Sequence, residues 1–149
     1  MQSGDSYTFQ HVLLIDDSEI DVLVNRRLME LTRFAENVSV TTTAEEALQY
    51  LREECTSEDR APDLIFLDVY LPMMNGYEFL QEFSKMPEPV RRKTRIIVLS
   101  VFQKPEQRQK MLEFPNVYGQ IDKPLTREAL TGLAENKEVL VAQGKDDVQ

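Results

Sequence analysis

Four apolar runs in this 149-residue chain each lead to a side chain that can do chemistry. His11-Val12-Leu13-Leu14-Ile15 stops on Asp16-Asp17, and Leu64-Ile65-Phe66-Leu67 stops on Asp68. Arg95-Ile96-Ile97-Val98-Leu99 stops on Ser100, and Val117 to Ile121 leads to Asp122-Lys123-Pro124. Carboxylates brought together repel and raise one another's pKa, a conflict that a hard divalent cation removes. Few protein oxygens with room for water favour Mg2+ over Ca2+. Beside such a cation, one carboxylate can attack a phosphoryl group. The product gains about two negative charges and three acceptor oxygens. Ser100 and Lys123 are suited to take up those oxygens. Taken singly, each residue has a plainer reading: a helix cap for Asp16, Asp17, Asp68 or Ser100, and a solvated charge for Lys123. Complementary groups at all four ends make the plainer reading the weaker one.

The positioning elements follow from the pattern. Continuous apolar runs bounded by turn residues read as strands buried on both faces, the kind found in parallel sheets. Val38 to Thr42 is a further short strand, rich in β-branched residues. Between the strands lie helical spacings. Ser18 caps a helix with an apolar stripe of Ile20, Leu23, Val24, Leu28 and Leu31. Thr43 and Glu46 form a capping-box signature before Ala44, Ala47, Leu48 and Leu51. Gly76 opens a helix with Phe79, Leu80 and Phe83 inward, and Pro87-Glu88-Pro89 ends it. Pro105 starts a short helix containing Met111 and Leu112. Thr126 caps the last helix, which runs to about Val141, with Leu125 and Leu130 at hydrophobic-staple positions. Five strands alternating with five helices predict an α/β fold, a doubly wound parallel sheet with right-handed crossovers. All strands then end on one edge, where open α/β sheets bind ligands. Residues 1–10 read as a flexible lead-in, 11–142 as the domain, and 143–149 as a polar tail.

The totals narrow the options. A net charge of −9, from 26 acidic and 17 basic residues, argues against a nucleic-acid footprint. The single cysteine, Cys55, cannot form an internal disulfide, and no run suits a membrane span or signal peptide. Cytoplasmic residence is the expectation. The single histidine, His11, opens a strand and reads as structural.

The runs LLIDDS, LIFLDVYLPMMNGYEFL, IIVLS and IDKPL, in this order, resemble the receiver domain of two-component response regulators. The resemblance covers residues 11 to about 140. It implies a flavodoxin-like (βα)5 fold with strand order 2-1-3-4-5. It implies that Asp68 accepts a phosphoryl group from a histidine kinase or a histidine phosphotransfer protein. Asp16, Asp17 and Asp68 would hold Mg2+ with the backbone carbonyl of Tyr70. Ser100 would be the switch hydroxyl, Lys123 the phosphate contact, and the Lys123–Pro124 bond cis. By the same resemblance the partner face is the helix before the fifth strand, that strand and the last helix, carrying Arg108, Lys110, Tyr118, Gln120 and Arg127. A homodimer through that face is left open.

The chain also departs from the pattern. Gln120 stands where receivers usually have a Tyr or Phe that follows the switch hydroxyl. Strand alternation predicts that Tyr118 shares its face, so Tyr118 or Phe102 could substitute. Val101 follows Ser100 where many members have Ala or Gly, and is expected to narrow access to Asp68. With no output domain in the sequence, the expectation is a stand-alone, non-enzymatic phosphoacceptor that acts through protein contacts. The rivals are weaker. A phosphatase of the haloacid dehalogenase type needs a second Asp two residues after its nucleophile, but Ser18 and Tyr70 occupy those positions. A binding module without the chemistry would not need all five site residues. A Schiff-base lysine would want a dry pocket rather than three carboxylates.

Overall fold

The computed structural model describes residues 6–101 and 104–137. Five strands form one parallel sheet in the order β2-β1-β3-β4-β5. They are β1 (Phe9–Ile15), β2 (Ala35–Thr41), β3 (Leu64–Asp68), β4 (Arg95–Ser100) and β5 (Val117–Asp122). The helices are α1 (Glu19–Leu31), α2 (Ala44–Glu53), α3 (Gly76–Phe83), α4 (Glu88–Lys93), α5 (Pro105–Leu112) and α6 (Arg127–Glu135). The alternation of strand side chains divides the core into two layers. Leu13, Ile15, Ile65, Leu67, Ile96 and Val98 pack with α2 and α3 on one side. Val12, Leu14, Leu64, Phe66, Ile97 and Leu99 pack with Met29 of α1 and Leu130 of α6 on the other. Every residue of β3 and β4 is buried, whereas β2 and β5 are the half-covered edges.

Ser18, Thr43 and Thr126 cap their helices, each accepting a hydrogen bond from the amide three residues on. Glu46 reaches back to the Thr42 amide rather than to that of Thr43. A complete capping box sits instead at α3, between Asn75 and Glu78. Gly76, the first residue of α3, lies against the end of β3. A Cβ there would come within 3.1 Å of the Val69 Cα, so any larger residue would push α3 and the end of β3 apart by a few tenths of an ångström.

The structure corrects four expectations from the sequence. First, β1 begins at Phe9, inside the presumed lead-in. Phe9 is buried against Phe34, and the polar residue beside it simply faces solvent. Second, Pro87-Glu88-Pro89 opens a sixth helix as well as following the third. Proline is tolerated in the first turn because its missing amide has no partner to lose. Third, the apolar stripe of α1 faces outward: Ile20 is 73% exposed and Leu23 is 70% exposed, and Val24 and Leu31 are also exposed. The inward face is built from Asn25 and Met29, with Leu28 half-buried beside them. Fourth, Tyr118 and Gln120 do not share a face. A register irregularity at Ile96/Ile97 shifts β5 so that Tyr118 packs on the α6 side, while Gln120 bonds Arg108 of α5. The expected end of the last helix near Val141, the tail and Phe102 lie outside the described residues.

His11 sits near the opposite end of β1 from Asp16. Its Nε2 lies 3.0 Å from Ser39 Oγ and 3.2 Å from Tyr50 Oη, as a structural histidine should. Burial, together with the Lys93 charge and against that of Asp63, holds its pKa below the ordinary 6.5. The folded state therefore takes up this proton less readily than the unfolded chain. Its contribution to stability is present above pH 6.5 and is lost as pH falls through the lowered value. Urea unfolding from neutral to mildly acidic pH should show a stability decline that is flatter in His11→Gln; equal slopes would contradict the assignment.

Candidate functional site

The parallel sheet delivers its strand ends to one rim. Asp16 follows the last residue of β1, and Asp68 and Ser100 are the last residues of β3 and β4. Lys123 follows β5 directly, and its amide donates to the Ser100 carbonyl at 2.8 Å. The Lys123–Pro124 bond is cis. Carboxylate oxygens of Asp16, Asp17 and Asp68 all lie within 4.8 Å of one another. Asp16 and Asp68 are buried, Asp68 being 5% exposed, while Asp17 is open to solvent.

Lys123 holds the cluster together. Its Nζ donates to Asp21 Oδ2 at 3.0 Å, Asp68 Oδ2 at 3.1 Å and Asp16 Oδ2 at 3.4 Å. Burial opposes the ammonium charge. The hydrogen bonds to Asp21 and Asp68 and the charges of Asp68 and Asp16 outweigh it and hold the group above the ordinary lysine range. Burial pushes the Asp16 carboxyl above its ordinary 3.8, helped by the charges of Asp68 and Asp21 and opposed by the Ser18 amide and Lys123. That amide donates to Asp16 Oδ1 at 2.9 Å, and the Tyr70 amide donates to Asp68 Oδ1 at 3.1 Å. Ser100 is fully buried, and its hydroxyl has no hydrogen-bond partner among the described residues. A buried hydroxyl of this kind is a donor in want of an acceptor. The donor set is made of hard oxygens whose mutual repulsion exceeds what one ammonium offsets, which suits a small divalent cation.

A family model for the response regulator receiver domain matches residues 12–135. The chain belongs to the response regulator receiver domain family. A crystal structure of a two component response regulator from Cytophaga hutchinsonii is similar to this receiver over 88% of this chain and 97% of that one, with a TM-score of 0.78 and 29% identity. The two-component response regulator ARR6 of Arabidopsis thaliana is 35% identical over 80 residues, which is 50% of this chain and 42% of that protein. Protein-glutamate methylesterase/protein-glutamine glutaminase 3 of Burkholderia thailandensis is 33% identical over 84 residues, 56% of this chain and 22% of that enzyme. The receiver therefore spans less than half the length of either curated relative. No helix among the described residues is long and apolar enough to cross a membrane.

Five residues singled out from the sequence thus meet at one rim: Asp16, Asp17, Asp68, Ser100 and Lys123. Tyr70 joins them through its amide. Asp21 was missed. It is the third residue of α1, where an acidic side chain reads as helix-dipole compensation, and nothing local shows that it faces Lys123. Around the aromatic position, Arg108 Nε donates to Gln120 Oε1 at 3.2 Å, and Arg108 Nη2 donates to Asp122 Oδ1 at 3.4 Å. Gln120 thus ties α5 to β5 with a polar clamp.

Lys123→Met keeps the aliphatic stem but leaves Asp16 and Asp68 buried without their cation. In metal-free buffer it should lower unfolding free energy by about 1–3 kcal/mol. Millimolar Mg2+ should recover much of that loss in urea unfolding curves. Undiminished stability would mean that the lysine does not neutralise the cluster.

Proposed function

We propose that this receiver accepts one phosphoryl group on Asp68 from a phosphohistidine of a sensor kinase or phosphotransfer protein, and signals through protein contacts. The observation that carries the reading is Lys123, bonded to Asp68 beside a three-carboxylate cluster with the unpartnered hydroxyl of Ser100 on the next strand. Asp16, Asp17 and Asp68 would hold Mg2+, joined by the Tyr70 carbonyl. Bound there, the ion offsets the charge between Asp68 and the oxygens of the incoming phosphoryl group.

The protein's own groups do the rest. An Asp68 oxygen bonds to phosphorus as the phosphorus–nitrogen bond of the donor breaks. The electron pair of that bond leaves on the imidazole nitrogen, which takes a proton from solvent. Lys123 moves its hydrogen bond from the Asp68 carboxylate to a phosphoryl oxygen. Ser100 turns its free hydroxyl to another. Hydrogen bonds to charged groups of this kind are worth about 1.5–3 kcal/mol each, enough to bias a two-state loop. The chain's catalysis would be confined to its own phosphorylation and dephosphorylation.

Incubation with Mg2+ and acetyl phosphate, read by intact mass, tests the proposal. A single phosphate adduct is expected, absent in Asp68→Asn. Release of many phosphates per protein would mean a phosphatase. No adduct, even with a kinase as donor, together with no metal binding, would mean a silent binding module. The kinase control matters because Val101, exposed at the rim, is read as narrowing the approach of small donors.

The outward face of α1 supports a docking site for the donor. Asp68 is nearly covered, so a protein donor must lie across the rim. The first turns of α1 adjoin that rim, because Asp16, Asp17 and Leu23 line one groove. Ile20, Leu23 and Val24 gain from exposure only if a partner covers them. Arg108, Lys110, Tyr118, Gln120 and Arg127 are left as the face for a downstream partner. Leu23→Asp should slow transfer from a phosphorylated phosphotransfer domain by about tenfold or more while labelling by acetyl phosphate is unchanged. Equal transfer rates would move the docking face elsewhere.

A further inference from the structure

We propose that Asp21 is a positioning residue that keeps Lys123 aimed across the rim without blocking the cation site; the inference rests on the reading of Asp68 as phosphoacceptor. An ammonium has three donors. Here all three are taken, and the shortest contact, 3.0 Å, goes to Asp21. The other two go to Asp68 and Asp16, whose carboxylates a divalent cation and a phosphoryl group would claim. Asp21 stands outside the three-carboxylate cluster. When Asp16 and Asp68 are engaged elsewhere, Asp21 is the carboxylate left to hold Lys123.

Its own placement is secured locally. The Asp21 amide donates to Ser18 Oγ at 3.2 Å, and the Ser18 amide donates to Asp16 Oδ1 at 2.9 Å. The cap of α1 therefore sets the spacing between Asp16 and Asp21 on either side of the lysine. A helix-dipole role would be served by any first-turn carboxylate and would not require contact with Lys123. The contact spans 102 residues of sequence, so it belongs to the tertiary site rather than to the helix.

Without Asp21 the ammonium has only Asp16 and Asp68 to settle on, and it becomes a competitor for the metal oxygens. Asp21→Ala should therefore weaken Mg2+ binding, followed by amide chemical shifts, by about fivefold, and the loss should shrink to less than twofold when Lys123 is alanine in both proteins. Labelling by acetyl phosphate should fall by about tenfold, with Asp21→Glu restoring most of the Mg2+ affinity and most of the rate. An equal loss of Mg2+ affinity with and without Lys123 would show that Asp21 acts only by its own charge, and would overturn the proposal. So would an unchanged affinity, or a wild-type chain that binds no Mg2+. If the wild type binds Mg2+ and the cycle shows coupling but no donor labels Asp68, the positioning role stands and the phosphoacceptor reading falls.

Discussion

Lys123 carries one positive charge into a rim lined by Asp16, Asp17, Asp21 and Asp68, and the arrangement of that rim answers to this imbalance. Like charges this close are tolerable only with cations among them. The lysine supplies one, bonded to three of the four carboxylates. The remaining negative charge suits a small divalent cation. A site built from excess carboxylate is poised rather than relaxed. On the proposed reading, a cation or a phosphoryl group would redistribute these hydrogen bonds, and the buried hydroxyl of Ser100 would be the next donor drawn in.

The sheet makes that concentration of charge possible. Strands buried on both faces can carry polar groups only where they emerge, and parallel pairing makes them emerge together. β3 and β4, wholly buried, bring Asp68 and Ser100 to the rim on adjacent strands. Gly76 lets α3 close over the end of β3, so the turn after Asp68 is held by backbone contact. Core and candidate site are thus divided along β3 and β4: the apolar body packs inside, and the last residue reaches the rim.

The outer surfaces distribute the contacts. α1 turns its apolar stripe to solvent next to the rim, while a half-polar face that includes Asn25 packs inward. The same helix contributes Asp21 to the lysine, so the proposed docking on α1 and the proposed positioning of Lys123 would share one element. On the other side, the Arg108–Gln120–Asp122 clamp links α5 to β5, where an aromatic side chain would have packed by shape alone.

Much of this was legible in the residues themselves. Apolar runs ending on Asp16, Asp68 and Ser100, punctuated by Ser18, Thr43 and Thr126, specify strands, caps and their order because these preferences act over a few residues. The types of the site residues follow from the same runs. What the tertiary structure alone decided depends on distant partners. Helical spacing shows that Ile20, Leu23, Val24 and Leu31 share a stripe, but only packing against the sheet decides which stripe is buried. Alternation should have put Tyr118 beside Gln120, but a bulge against β4 turned it to the opposite layer. Asp21 looks like any first-turn acid until the chain brings Lys123 to it from 102 residues away, since a hydrogen bond between remote side chains leaves no local trace.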